Sequence, residues 1–330
     1  MSQGKVLVTG APGWLGTRFV EIIAEHNRDI RCLVLPGVDT NHLKKLGAEI
    51  VEGNITKPES LDGVADGIET IFHIVGIVHT RFFRVRDFFK INTEGTKNML
   101  DFAIRAGVRR FVYVSSNSPA GCNYSRDVLM NECTPPRPYM TYGKSKAQSE
   151  KAVNEAFIKG ELETVILRPC WFYGPGQPAR QTRLMRMIKN GNAPLFGDGS
   201  NLRSMTYIDS LCDALILAGE KEAARGETYW IADEKPYTTL EIYQAIAELL
   251  DVKLKTINIP GFVSDMATIA DWTLQKLYMY QTETHVVGEL NKNIACSIDK
   301  AKKDLGYKPK IDLREGMKRS IEWAKERDLL

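Results

Sequence analysis

Several things are scarce in this chain, and each scarcity removes a class of function. Its six cysteines, Cys32, Cys122, Cys133, Cys170, Cys212 and Cys296, form no C-x-x-C pair, so neither a zinc site nor a disulfide framework is indicated. Reduced, packed thiols are the expectation. The five histidines, His26, His42, His73, His79 and His285, show no metal-ligand spacing, so no metal is expected, and His73 inside an apolar run reads as a core residue. Charge of one sign is also lacking. With 44 basic and 41 acidic residues the formal charge is +3, too even for the basic stripe that nucleic-acid binding needs. No run approaches the ~18–20 apolar residues of a membrane span. The first strand-like run begins by Lys5 and leaves no room before it for a secretory signal, so a cytoplasmic location is the expectation. There is no internal repeat and no low-complexity segment.

What is present is a chain of 330 residues, 43% hydrophobic and 26% charged, enough for a substantial core in one large or two intimately joined domains. Lys5 to Gly10 is a short apolar run ending in glycine, and Leu15 to Glu25 then recurs at helical spacing. Similar runs follow at Ile30 to Leu35, Glu49 to Glu52, Thr70 to Val75, Arg110 to Ser115 and Thr164 to Arg168. Helical patterns lie between them, notably Arg86 to Ala106 and Lys144 to Phe157. Near-continuous apolar strands alternating with helices predict an α/β fold with a Rossmann-type, doubly wound parallel sheet.

After Arg168-Pro169 the alternation gives way to Gly/Pro-rich loops, and Thr228 to Ala232 reads as one more strand returning to the sheet. The expected division is a nucleotide-binding domain over residues 1–170, with a returning segment at about 204–235. A smaller, interleaved C-terminal substrate domain takes 171–203 and 236–330. Thr239 to Leu250 predicts a helix. So does Phe262 to Tyr280, where Asp265, Asp271 and Lys276 argue against a span and for an amphipathic helix, read as a core or interface helix rather than a membrane-surface one.

Gly10, Gly13 and Gly16 fall between the first strand and the first helix. There, missing side chains let backbone approach a pyrophosphate at a helix N-terminus, which makes NAD or NADP the expected cofactor. Trp14, Leu15, Asn54, Ile55, Val75, Asn92 and Pro169 are further candidates for that pocket, Asn54 toward the adenine edge. At the end of the second strand, where a carboxylate or an arginine would select the cofactor, stand Val34 and Leu35. The choice therefore stays open with a lean to NAD, and Asp39 or Arg31 contributes only if the loop folds back.

Tyr142 and Lys146 are spaced i, i+4, so on a helix both face the same way. A nearby ammonium favours the phenolate and lowers a tyrosine pKa from about 10, which suits a proton acceptor to an alcohol losing hydride. Ser116, at the end of the fifth strand, is the candidate substrate anchor, with Ser115 and Ser118 as competitors in register.

With these motifs in order, together with Asn92-Thr93-Glu94-Gly95-Thr96, Leu167-Arg168-Pro169, Tyr173-Gly174-Pro175 and Leu305-Gly306-Tyr307, the chain resembles the extended short-chain dehydrogenase/reductase superfamily. That group includes nucleotide-sugar epimerases and dehydratases, 3β-hydroxysteroid dehydrogenases and dihydroflavonol reductases, and the resemblance runs nearly the whole length. It implies a catalytic Ser116, Tyr142 and Lys146, with Lys146 also on the nicotinamide ribose. It also implies a homodimer built on the Tyr/Lys helix and the helix before it.

Two substrate classes compete. Gly197-Asp198-Gly199 followed by Arg203, Tyr207 and Asp209 resembles the diphosphate-binding segment of nucleotide-sugar enzymes, giving a slight lean to an epimerase. Trp171 stands where those enzymes usually have asparagine. With Asn117 it is a candidate substrate contact, and the segment from Pro260 to Lys308 looks more like the hydroxysteroid branch, whose substrates are hydrophobic secondary alcohols. Ser116-Asn117-Ser118 lacks the carboxylates of a dehydratase. A non-catalytic NADP sensor is disfavoured, since such relatives often lose the tyrosine or lysine.

Overall fold

Seven short apolar runs become the strands of one sheet: β1 (Lys5–Thr9), β2 (Ile30–Val34), β3 (Glu49–Glu52), β4 (Ile68–His73), β5 (Arg110–Val114), β6 (Glu163–Pro169) and β7 (Thr228–Ile231). The computed structural model describes residues 4–330. The order is β7-β6-β5-β4-β1-β2-β3, with every pairing parallel. This is the Rossmann-type, doubly wound sheet expected from the strand pattern. The order reverses between β1 and β4, which opens the crevice at the carboxyl ends of the strands where ligands bind in such sheets.

Because crossover helices cover both faces, alternate residues of a strand feed two cores. Val6 and Val8 of β1 with Val112 and Val114 of β5 face one core, and Leu7 with Phe111 and Tyr113 faces the other. The first is closed by α1 (Trp14–Glu25) and α4 (Ile208–Glu220), the second by α2 (Gly95–Arg105) and α3 (Met140–Ile158). Beyond β6 a third core gathers Tyr173, Met185, Leu195, Ile242 and Met317. Two further helices, α5 (Gly261–Lys276) and α6 (Thr282–Leu290), pack on each other beside the crevice.

Three sequence expectations change. The fourth strand ends at His73 rather than Val75, because the Ile74 and Val75 amides leave the ladder to donate to Thr9 Oγ1 at 3.2 and 3.3 Å. The helix expected over Arg86 to Ala106 is a wide π-helical stretch, Phe88–Glu94, followed by α2. There the Asn92 carbonyl accepts from the Thr96 and Ser149 hydroxyls, at 2.5 and 2.8 Å. The helix expected over Phe262 to Tyr280 stops at Lys276 and is turned the other way: Ser264, Asp271 and Gln275 are its buried side chains, while Phe262, Met266, Ile269 and Trp272 face outward.

His73 is fully buried between Thr9 Oγ1 and Thr96 Oγ1, each 3.1 Å away. Burial first, and then the Lys146 charge, push its pKa down to about 3. Below the ordinary value of 6.5 only the unfolded chain takes the proton, so the stability tied to this residue falls progressively between pH 6.5 and 3 and is constant above that range. Unfolding midpoints measured across this window should fall with acid, and His73→Gln should flatten the dependence.

Candidate active site

The crevice is lined by the turns that follow β1, β4 and β5, and the glycine turn shapes its floor. Gly10 holds φ +91°, and a Cβ there would stand 2.7 Å from the Val75 amide nitrogen. A side chain at Gly16 would meet Ala11 N at 2.6 Å, so the turn closes only on glycine at these positions. Helix α1 then starts with no side-chain cap and no acidic residue in its first turn. Its first amides and the positive end of its dipole suit a pyrophosphate, so the donor set fits a dinucleotide.

The neighbours named from sequence divide into separate jobs. Val75 lies against Gly10, and Ile55 packs on Gly95 while its carbonyl accepts from Asn98. Leu15 belongs to the core under the sheet, and Pro169 is paired with Ile231 at the end of β6. The Trp14 indole donates to the Pro175 carbonyl at 2.7 Å and packs 4.9 Å from Phe172, pinning α1 to the Gly/Pro-rich loop. Asn54 Oδ1 accepts from both the amide and hydroxyl of Thr56, an Asx turn that holds the loop after β3. Arg31 is committed to Glu49 and to the carbonyls of Val64 and Asp66, while the exposed Asp39 accepts from Asn41 N through one oxygen. Leu35 is exposed at the end of β2.

Asn92 is a hub. Its amide donates to Ile77 O and Ser145 Oγ, both at 3.0 Å, and its Oδ1 accepts from Ile77 N at 2.8 Å. The wide turn of Phe88–Glu94 places it there, tying the loop after β4 to the helix bearing Tyr142 and Lys146.

Tyr142, Lys146 and Ser116 come together where α3 crosses the end of β5. Lys146 Nζ donates to Val114 O at 2.8 Å and sits 4.3 Å from the centre of the Tyr113 ring. Burial presses its pKa down to about 7, against an upward pull from Glu150. Burial holds the Tyr142 phenol up at about 12, with its hydrogen bond to Ser116 pulling the other way. The lowered tyrosine expected from the i, i+4 ammonium is thus not what this geometry produces. The lysine is itself desolvated, and its ammonium is directed to a carbonyl of β5. Among the competing serines, Ser115 is bound to Glu150 Oε1 at 2.6 Å, and Ser116 makes 3.4 Å contacts with Asn117 Oδ1 and Ser118 Oγ. Glu150 also takes both nitrogens of a fork from Arg168, at 2.9 and 2.6 Å.

Arg203 and Trp171 are brought together. The buried Arg203 donates to the Glu289 carbonyl, lies 5.5 Å from the centre of the Trp171 ring, and leaves its Nε without a partner. Asp209, from the same sequence segment, pairs instead with Arg18 at 2.6 Å.

A set of residues that sequence reasoning missed stands behind the catalytic helix. Met140 opens α3 at φ +51°, a strained value for a residue with a side chain. The next amide, Thr141 N, donates to Gln275 Oε1 at 2.9 Å; Gln275 Nε2 donates to Asp271 Oδ1 at 2.8 Å; and His285 Nδ1 donates to Asp271 Oδ2 at 2.7 Å. Tyr280 reaches His79 at 2.6 Å and packs on Phe88, which packs on Tyr142. Only the long separation between partners hid this chain, since each residue alone reads as surface polarity in a helix. Gln275→Leu should lower kcat up to about a hundredfold by letting the start of α3 relax, with nucleotide affinity unchanged. Steady-state kinetics beside a nucleotide titration would check it.

A Rossmann-type sheet with a Ser, Tyr and Lys at its carboxyl edge defines an enzyme of the extended short-chain dehydrogenase/reductase class. Residues 7–260 match the 3-beta hydroxysteroid dehydrogenase/isomerase family, and the chain belongs to that family. It is 42% identical to the uncharacterized protein y4nL of Sinorhizobium fredii, covering 97% of this chain and 94% of that protein. It is 29% identical to a 3-beta-hydroxysteroid dehydrogenase of Mycolicibacterium neoaurum, over 95% of this chain and 89% of that one. Among solved structures, MoeE5 in complex with UDP-glucuronic acid and NAD superposes with a TM-score of 0.77 at 24% identity, over 98% of this chain and all of that one.

Proposed function

We propose that the chain is an NAD(P)-dependent oxidoreductase acting on a secondary alcohol or ketone. The convergence of Ser116, Tyr142 and Lys146 at the end of β5 carries this reading. The nicotinamide, when bound, supplies the hydride acceptor or donor. Tyr142 Oη exchanges the proton of the substrate oxygen, Ser116 Oγ holds that oxygen, and Lys146 holds the cofactor ribose. The amides at the start of α1 hold the pyrophosphate.

Val85, Phe88, Tyr280 and Ile77 pack around Tyr142 and support a hydrophobic ring-bearing alcohol, with the charges of Arg180 and Glu289 near the phenol available to a polar substituent on it. Arg203, buried against Trp171 and the Glu289 carbonyl with its Nε unpartnered, is the group a diphosphate would engage in the second, nucleotide-sugar reading. The hydroxysteroid-like alternative stands first, and the nucleotide-sugar epimerase second. A homodimer through α2 and α3 is part of the same reading, checked by light scattering.

A phenol at about 12 is protonated at neutral pH, the form that donates to a reduced carbonyl. Alcohol oxidation needs the phenolate, so its rate should climb with pH while ketone reduction does not. The first test is mass spectrometry of nucleotide released on denaturation, followed by turnover of hydroxysteroids and other cyclic alcohols read as NAD(P)H absorbance. An empty or exchangeable site with net reduction of cofactor supports the proposal. About one retained NAD(H) per chain, with interconversion of sugar nucleotides and no net reduction, overturns the substrate assignment, and in that case Arg203→Ala should abolish turnover.

A further inference from the structure

Helix α5 is amphipathic in reverse. Its inner face is polar: Asp271 and Gln275 serve the chain that ends on Thr141 N, and Ser264 Oγ donates to Val287 O at 2.8 Å. Its outer face exposes Phe262, Met266, Ile269 and Trp272, with Ile269 65% exposed. A second apolar point adjoins it, for Tyr280 N donates to Phe82 O at 2.6 Å and the neighbouring Phe83 is 73% exposed. An apolar face this continuous costs free energy in water and marks a surface that something covers.

We propose that the outer face of α5 and the Phe82-Phe83 turn dock on an anionic lipid surface, with the chain lying on it and not crossing it. The charge around the patch argues for this occupant. Arg81, Arg86 and Lys276 are exposed at its rim, and the Arg86 guanidinium and Lys276 ammonium lie 4.8 and 3.7 Å from the ring centres of Tyr278 and Trp272. The nearby carboxylates are answered within the chain: Asp87 by Arg84 at 2.9 Å, Asp265 by Lys292 at 2.5 Å, and Asp271 by His285. A twofold dimer on this face would set the basic rim of one copy against that of the other, whereas anionic headgroups meet it with opposite charge. Aromatic rings beside lysine and arginine on a helix with apolar residues outward are the composition of a segment lying in the headgroup layer. No helix among the described residues is long and apolar enough to cross a membrane. The docking does not depend on which alcohol is turned over.

The test is flotation of the full chain with vesicles of phosphatidylcholine alone and of phosphatidylcholine mixed with phosphatidylserine. Binding to the mixed vesicles should exceed binding to the neutral ones by at least about tenfold at low salt and weaken as salt is added. A Phe83→Glu/Ile269→Glu variant should lose it without a change in unfolding midpoint, since both side chains are exposed, and Arg81→Ser/Arg86→Ser should lose the preference for the anionic lipid. Absence of binding to either vesicle overturns the proposal, and so does equal binding to both. A dimer in solution that Ile269→Glu dissociates also overturns it, in favour of a second copy of this chain.

Discussion

Replacing Tyr142 with phenylalanine is expected to lower kcat by ~10²–10⁴-fold, the usual contribution of a positioned acid/base group, and to leave nucleotide affinity unchanged. The substitution removes one oxygen and keeps the ring. The ring is what packs 5.9 Å from Phe88, so the fold around it should hold. What disappears is the one titrating group beside Ser116, whose hydroxyl hydrogen bond opposes the upward shift imposed by burial. Lys146→Met should behave differently. Losing the ammonium at Val114 O removes the cation proposed for the cofactor ribose, so nucleotide binding and turnover should weaken together. Single-turnover kinetics with a separate nucleotide titration distinguishes the two. Wild-type turnover in the Tyr142→Phe enzyme would falsify the acid/base assignment.

The second large effect should come from Glu150, a residue remote from substrate. Its carboxylate takes the Arg168 fork at 2.9 and 2.6 Å and the Ser115 hydroxyl at 2.6 Å, with side-chain exposures of 13% for Arg168 and 7% for Glu150. Glu150→Ala leaves the Arg168 charge buried and unpaired, and breaking such a pair typically costs about 3–5 kcal/mol. Denaturant unfolding should report a loss of that size. Glu150→Gln tests the electrostatic half of the argument. Glu150 raises the Lys146 pKa against desolvation, so removing its charge should shift that group further below about 7 and move the pH profile of nucleotide binding with it.

Much of this was legible in the chain because the signals were local. The glycines of the first turn, the i, i+4 Tyr142 and Lys146, and the apolar runs of the sheet are each set by neighbouring residues. Reading stopped where partners lie far apart. Asn92 is held by Ile77 and Ser145, and the polar side of α5 by Thr141 and His285. Such pairings leave no periodic trace, so the sequence shows α5 as amphipathic without showing that its polar side is the buried one. The surroundings of Arg203 were equally out of reach: its spacing suggests an anion ligand, and only the third dimension reveals the Glu289 carbonyl and Trp171 beside it. The tyrosine pKa was read from one neighbour, while burial of both members of the pair dominates.

The place of β7 has a consequence for how the chain is made. It is the edge strand against β6, and it reaches the ribosome exit only after Thr228, long after the glycine turn and the catalytic helix have emerged. Until then the outer edge of β6 has no ladder partner, and β7 is in turn held from outside by Lys300, which donates to the Thr228 carbonyl at 2.9 Å. A nascent or truncated chain ending near residue 170 would therefore expose an unpaired, apolar strand edge, the template on which aggregation starts. Synthesis must run well past the nucleotide-binding half before the sheet protects itself, and that half should not survive as an excised fragment.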